Sequence, residues 1–288
     1  MTSIQARVAT ARQRLRDAGI AARESEIDAR LLAQQVLDWT TERYLTDAGA
    51  AEPDTFADAY DALVARRATR EPLAYIVGHR EFWGMKFEVN ADVLIPRPST
   101  ELIIEAMLDL FPERTAALTI GDVCTGCGCL AVAMACERPA ATIVGSDISP
   151  AALAVARRNA QRHDVADRIT FRTGDLLAGL DVTDRKFDAI LANPPYVVDR
   201  ARPALQPEVR DFEPAVALFG GSDGLGLITR LVAEAPGRLK PGGYLIFEFG
   251  FGQDVEVEEL LHPASDLTLV GVRRDLQGIS RTAVARRR

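Results

Sequence analysis

The chain has 288 residues, 48% of them hydrophobic, and a formal net charge of −7, which suits one large domain with a small one beside it. No apolar run approaches the roughly 20 residues a membrane span needs, and the acidic balance argues against nonspecific binding to nucleic acid. The basic runs Arg66-Arg67-Ala68-Thr69-Arg70 and Arg286-Arg287-Arg288 read as a solvated helix face and a chain end. Cys124, Cys127, Cys129 and Cys136 crowd into one short stretch, unlike the disulfide framework of a secreted fold, so a reducing cytoplasm is expected.

Residues 1–20 are charged and lack the apolar centre of a secretory signal. Their Arg, Ala and Thr content loosely resembles a transit peptide. Ile4, Val8, Ala11 and Leu15, however, fit the inner face of an ordinary first helix, with Ser3 as its cap and Gly19 as its stop. A second helix fits Ser25 to Leu37, with Ile27, Leu31, Leu32, Gln35 and Val36 near helical spacing. A third follows Thr40, and a fourth starts at Pro53-Asp54 and carries Phe56, Tyr60, Leu63 and Val64 on one side. Residues 1–78 thus read as a helical bundle suited to recognition.

From Arg80 the period changes. Glu81 to Val89 reads as two short strands around Gly84, a hairpin linking the domains. With the stiff connector Leu94-Ile95-Pro96-Arg97-Pro98 it fills residues 79–98, and Ser99 can cap a helix from Thr100 to Leu110. Over residues 99–288 strands and helices then alternate, the pattern of a parallel sheet covered on both faces. Strands are expected at Leu118–Val123, Thr142–Ser146, Ile169–Thr173, Phe187–Ala192, Tyr244–Phe249, Leu267–Arg273 and Thr282–Ala285. Helices are expected at Leu130–Glu137, from Ser149-Pro150 to His163, at Leu225–Leu239 and at Asp254–Leu261.

Two stretches carry chemistry. Asp122-Val123-Cys124-Thr125-Gly126-Cys127-Gly128-Cys129 lies between the first sheet strand and its helix. Its small residues let the backbone pass close to a ligand beside a helix N-terminus. Asp147 ends the second strand, where a carboxylate can take both ribose hydroxyls, and Asp175 can accept from an adenine amino group with Leu176 packing on the ring. The loop lacks the third glycine that a pyrophosphate needs against the helix, which favours S-adenosylmethionine over NAD.

The second stretch, Asn193-Pro194-Pro195-Tyr196, follows the fourth strand. Two prolines make a stiff, non-helical corner. The Asn193 side-chain oxygen and the Pro194 carbonyl can both accept hydrogen bonds, and Tyr196 adds an aromatic plate, a combination that suits a planar –NH2 group. If the first and fourth strands are neighbours at the switch point of the sheet, loop and corner share one crevice.

Together these residues resemble the class I methyltransferases, and more closely the protein-glutamine methyltransferases that modify peptide chain release factors, the HemK/PrmC family. The likeness extends through Arg70 to Gly78, Glu81-Phe82-Trp83-Gly84, Val93 to Pro98, Phe212-Glu213-Pro214, Asp223-Gly224-Leu225 and Asp275-Leu276-Gln277-Gly278. It implies a Rossmann-like α/β sheet of seven strands, mostly parallel with the last one antiparallel, behind a small N-terminal helical domain and a linking hairpin. It further implies that the substrate is the glutamine of a Gly-Gly-Gln loop in class I release factors. Asn193, Pro194, Pro195 and Tyr196 would hold that amide, and residues 124–128, Asp147, Leu176 and Asn193 would contact the methyl donor. The family usually carries Gly or Ser where Cys124 and Cys127 stand, and an acid where Ser99 follows Pro98. A related branch methylates a ribosomal-protein glutamine, but the run Ile95-Pro96-Arg97-Pro98 favours release factors.

The nearest rival is an amino-group methyltransferase of nucleic-acid bases, which needs a basic face or a recognition domain; the net charge of −7 and the acidic-to-neutral helical domain speak against it. His79, His163 and His262 read as a hairpin, a helix end and a loop, away from both motifs. Zinc is not expected, because Cys136 lies along a helix and cannot complete a tetrahedral set. Neither membrane contact nor direct nucleic-acid binding is expected.

Overall fold

The computed structural model describes residues 2–181, 186–261 and 266–288; His262 lies outside the described residues. The chain divides into two compact units, Met1–Gly78 with Gln206–Phe212, and His79–Leu205 with Glu213–Arg288.

In the first unit α1 (Ile4–Asp17) starts at Ser3, whose hydroxyl accepts from the Ala6 nitrogen, and buries Ile4, Val8, Ala11 and Leu15. α2 (Ala22–Leu37) begins earlier than expected and turns a different face inward: Ser25, Asp28, Ala29, Leu32 and Ala33 are buried, while Ile27 is exposed. Small residues on that face allow close helix packing, and Asp28 is drawn in by a charge partner. α3 (Thr41–Asp47) is capped by Thr40. α4 (Phe56–Ala68) buries Phe56, Tyr60 and Val64, and α5 (Leu73–Val77), unforeseen from the sequence, closes the run.

The expected solvated face at residues 66–70 is overturned at Arg67, which is 1% exposed. Its Nε donates to Asp28 at 2.7 Å and its two Nη atoms to Glu208 and Glu24, each at 2.9 Å. Arg70 clamps the other oxygen of Glu208 at 2.6 Å. Glu208 sits on a short helix, Pro207–Phe212. A buried guanidinium is tolerable here because carboxylates meet it on each side.

The second unit opens with β1 (His79–Phe82) and β2 (Met85–Glu88), an antiparallel pair. Trp83 and Gly84 both have positive φ, as a tight hairpin turn demands. After a 3-10 turn at Pro98–Thr100, α6 (Glu101–Leu110) follows. Ser99 does not cap it, because its hydroxyl is bonded to Glu248. β3 (Thr119–Val123), α7 (Cys129–Glu137), β4 (Thr142–Asp147), α8 (Pro150–Arg162), β5 (Ile169–Thr173), β6 (Phe187–Ala192), α9 (Gly226–Glu234), β7 (Leu239–Glu248), α10 (Asp254–Leu260), β8 (Leu267–Arg274) and β9 (Ser280–Arg287) complete the unit.

The strands form one seven-stranded sheet in the order β5-β4-β3-β6-β7-β9-β8. β3 lies parallel to both β4 and β6, and β9 runs antiparallel to β7 and β8. This is the expected mostly parallel sheet with an antiparallel last strand. Three expectations need correction. The helix expected to reach Leu239 stops at Glu234, and β7 starts at Leu239 rather than Tyr244. A register shift opposite Phe187 and Ala189 absorbs Pro241-Gly242-Gly243 into the strand. Arg286 and Arg287 belong to β9 rather than to a loose end. Arg286 donates to the Gly242 carbonyl and Arg287 to the Leu239 carbonyl.

Candidate active site

The carboxyl ends of β3, β4 and β6 border a single crevice with an empty volume of about 1170 Å³, its open mouth included. Cys124, Thr125, Gly126, Cys127, Asp147, Asp175, Leu176, Asn193 and Pro195 all line it, as do Thr100 and Ile148. Loop and corner therefore face one cavity, because β6 pairs directly with β3.

The loop is shaped by its backbone. Cys124, Gly126 and Gly128 have φ of 58°, 55° and 82°, a region that favours glycine. A Cβ on Gly126 would stand in open space, whereas one on Gly128 would press against Ala156 of α8. Gly126 thus leaves room over the ligand side, and Gly128 lets α7 pack; Gly128 does not itself line the crevice. Beneath the loop, Asp122 is wholly buried. Its Oδ2 accepts from Thr125 Oγ1 at 2.5 Å and from the Ala131 nitrogen at 3.0 Å, while Oδ1 has no partner among the described residues. Burial pushes its pKa up to about 7, although the bonds from Thr125 and Ala131 oppose the rise. Burial, and after it the charges of Asp147, Asp122 and Asp175, pushes the Cys124 thiol up as well. That suppresses the thiolate on which disulfide exchange depends.

Asp147 is fixed at both oxygens. Oδ2 accepts from the Gly126 nitrogen and Oδ1 from the Ser149 nitrogen, each at 2.9 Å. Each oxygen keeps a further lone pair. Burial raises its pKa, against the pull of the Ser149 and Gly126 amides. Asp175 is differently occupied: Arg230 of α9 binds its carboxylate at 2.8 Å. The expected adenine contact would compete with that ion pair, but both partners are about half exposed, and such pairs contribute ~1 kcal/mol or less.

At the corner, Asn193 Nδ2 donates to Thr100 Oγ1 at 3.0 Å, so its Oδ1 remains as the acceptor of a residue that lines the crevice. Tyr196 departs from the expectation of an aromatic plate over the cavity. It does not line the crevice, and its hydroxyl points inward to Glu248 Oε1 at 2.8 Å. Its backbone is gripped as well, since Gln253 Nε2 donates to its carbonyl at 3.2 Å. A Cβ on Gly224 would overlap that carbonyl, and one on Gly220 would reach within 2.5 Å of the Pro195 carbonyl. Gly220 and Gly224 therefore let their loop lie flat against the corner. The connector is tied down by Glu213, which accepts from the Ile95 nitrogen at 3.1 Å and from Arg97 at 2.5 Å.

Sequence reasoning missed Thr100 and Glu248. The signal for Glu248 was a lone acid closing the apolar run Tyr244 to Phe247.

The crevice fits a nucleoside without phosphates. Asp92, Asp147 and Asp175 line it, and no Lys or Arg does so among the described residues. A pyrophosphate would find only like charge there, whereas a sulfonium and an ammonium group meet opposite charge.

A family model for a methyltransferase small domain matches residues 98–208, and one for the PrmC N-terminal domain matches residues 8–78. Solved structures share the fold at 16% identity. The hMettl16 catalytic domain in complex with MAT2A 3'UTR hairpin 6 has a TM-score of 0.58, with 78% of this chain and 81% of that one covered. A methyltransferase from Pyrococcus furiosus has a TM-score of 0.53, covering 77% and 98%. Sheet order, crevice and family match define an S-adenosylmethionine-dependent methyltransferase.

Full-length relatives narrow this further. The chain is 40% identical over 261 residues to the release factor glutamine methyltransferase of Neisseria gonorrhoeae, covering 91% of this chain and 93% of the relative. It is 42% identical over 273 residues to that of Cereibacter sphaeroides, covering 95% and 94%. The chain belongs to the release factor glutamine methyltransferase family.

Proposed function

We propose that the protein transfers a methyl group from S-adenosylmethionine to the side-chain amide nitrogen of the glutamine in the Gly-Gly-Gln loop of class I peptide chain release factors. The observation that carries this reading is the bond from Asn193 Nδ2 to Thr100, which reserves the Asn193 oxygen for an incoming N–H. Cys124, Thr125, Gly126, Cys127, Asp147, Asp175, Leu176 and Asn193, which line the crevice, are read as the cofactor contacts, and Gly128 as the residue that shapes their loop. Asn193 to Tyr196 is read as the corner that receives the amide. Residues 1–78 are read as a recognition domain and 79–98 as a linker. The cytoplasm is proposed as the compartment in which the protein meets this substrate.

When bound, the cofactor supplies an electrophilic sulfonium methyl, so the protein need not activate the donor. An amide nitrogen is a poor nucleophile because its lone pair is shared with the carbonyl. The Asn193 oxygen and the Pro194 carbonyl accepting its two hydrogens would favour a more pyramidal nitrogen and stabilise positive charge growing on it. The stiff Pro194-Pro195 corner holds those acceptors in one geometry, and much of the acceleration is positional. No general base is needed at the transfer, since the product nitrogen loses its proton readily afterwards. This agrees with His163, whose ring is engaged with the Lys86 carbonyl at 3.0 Å and which does not line the crevice.

Incubation with labelled S-adenosylmethionine and, separately, release factor, ribosomal protein and nucleic acid tests the reading. Label on the Gly-Gly-Gln glutamine is expected; label only on ribosomal protein or on a base would overturn it.

A further inference from the structure

Glu248 closes β7 and is 0% exposed. Three hydroxyls converge on its carboxylate: Thr100 donates to Oε2 at 2.7 Å, and Tyr196 and Ser99 donate to Oε1 at 2.8 and 3.2 Å. A buried acid costs several kcal/mol unless it is well bonded. Nothing in the proposed transfer consumes this carboxylate, yet it is hydrogen-bonded to one end of the substrate corner and linked through Thr100 to the other.

Burial raises the pKa of Glu248, but the bonds from Thr100, Tyr196 and Ser99 and the charge of Arg281 oppose the rise, and as a carboxylate it can only accept. The Thr100 hydroxyl must then spend its one hydrogen on Glu248, and its oxygen is left to accept. The group that meets that oxygen is the Asn193 amide, and only the –NH2 end can donate to it. The chain Asn193 Nδ2 to Thr100 to Glu248 thus has one allowed direction, and the Asn193 oxygen is turned out as an acceptor. Without a fixed direction the amide could flip, presenting –NH2 to a substrate –NH2. Tyr196 is held in the same way by the second carboxylate oxygen.

We propose that Glu248 is a positioning residue for methyl transfer, setting through Thr100 the orientation of the Asn193 amide that receives the substrate nitrogen. This inference rests on the amide-acceptor role of Asn193 given above. Ser99 is a third donor to the same carboxylate.

The test is E248Q. A glutamine has the same shape, but it offers one donor and one acceptor end, so the chain can run in either direction. The expected result is a fall of about 100-fold in kcat on release factor, with the Kd for S-adenosylmethionine within about threefold and an unchanged melting temperature in the presence of that ligand. Thr100→Val breaks the link and should match E248Q, while Thr100→Ser keeps the hydroxyl and should retain kcat within about fivefold. E248Q with wild-type kcat, or T100V as active as T100S, would overturn the proposal; the second pair decides the matter if E248Q fails to fold. Wild-type protein inactive on release factor would instead overturn the substrate reading, a result distinct from wild type and E248Q being equally active.

Discussion

The Gly126 backbone nitrogen donates to Oδ2 of Asp147 at 2.9 Å, tying the turn after β3 to the last residue of β4. One carboxylate thereby holds the cofactor loop and faces the crevice. Asp147→Ala removes the loop anchor together with the acceptors for a ribose diol, and charge-assisted bonds of this kind contribute about 1.5–3 kcal/mol each. Cofactor affinity by calorimetry should fall by about 100-fold or more, and unchanged affinity would remove Asp147 from the site.

Asn193→Ala should abolish methylation while cofactor Kd changes by less than about tenfold, or roughly 1.4 kcal/mol. Single-turnover assays with saturating S-adenosylmethionine separate the two effects, and turnover near that of the wild type would contradict the acceptor role.

Gly224 has φ of +74°, and a side chain there would overlap the Tyr196 carbonyl. Gly252 has φ of +77° but open space around it. Gly252→Ala should cost about 1 kcal/mol from backbone strain alone. Gly224→Ala should cost more and lower kcat by displacing the corner. Denaturant melts and initial rates on both variants check this; equal losses in the two would show that the close approach is unimportant.

Asp122 gives a pH signature. Its folded pKa, about 7, lies above the ordinary carboxyl value, so between about pH 4 and 7 the folded state binds more protons than the unfolded one. Stability from this group is full below about pH 4 and is lost as pH rises to 7. Asp122→Asn cannot titrate, so its stability relative to the wild type should improve across that window by up to a few kcal/mol. Paired urea melts at pH 5 and pH 8 measure the difference, and a pH-independent gap would refute it.

The helical unit offers a contrast between neighbours. Arg67→Ala leaves the buried carboxylates of Asp28 and Glu208 without their shared cation and should cost about 3–5 kcal/mol. The adjacent Arg66 pairs with Glu71 but is 46% exposed in its side chain, so Arg66→Ala should cost about 1 kcal/mol or less. Thermal melts of the two variants distinguish them.

Features set by local chemistry were legible in the sequence. The Gly126–Gly128 turn, the Pro194-Pro195 corner, the Ser149-Pro150 helix start and the apolar strand Phe187–Ala192 each declare themselves within a few residues, and the structure has them where expected. What was not legible depends on partners distant in sequence. Arg67 looked like surface because nothing near it announces Asp28 and Glu208. Ile27 looked buried because apolar spacing was weighed without knowing that Asp28 would turn the helix toward its guanidinium. Ser99 looked like a cap because helix starts favour it, until Glu248 competed for its hydroxyl. Tyr196 looked like a plate over the substrate because nothing nearby named Glu248 as the acceptor of its hydroxyl.

The pairing of β3 with β6 also bears on how the molecule acquires its activity as it is made. Residues 119–128 and 187–196 emerge from synthesis well apart, and β4 and β5, which lie between them in the chain, sit on the opposite side of β3. Contacts so distant along the chain form slowly. A nascent polypeptide halted before residue 187 would own a nucleoside loop with no amide-holding corner opposite it, so competence for chemistry arrives late, with the closing of the sheet's centre rather than with either motif alone.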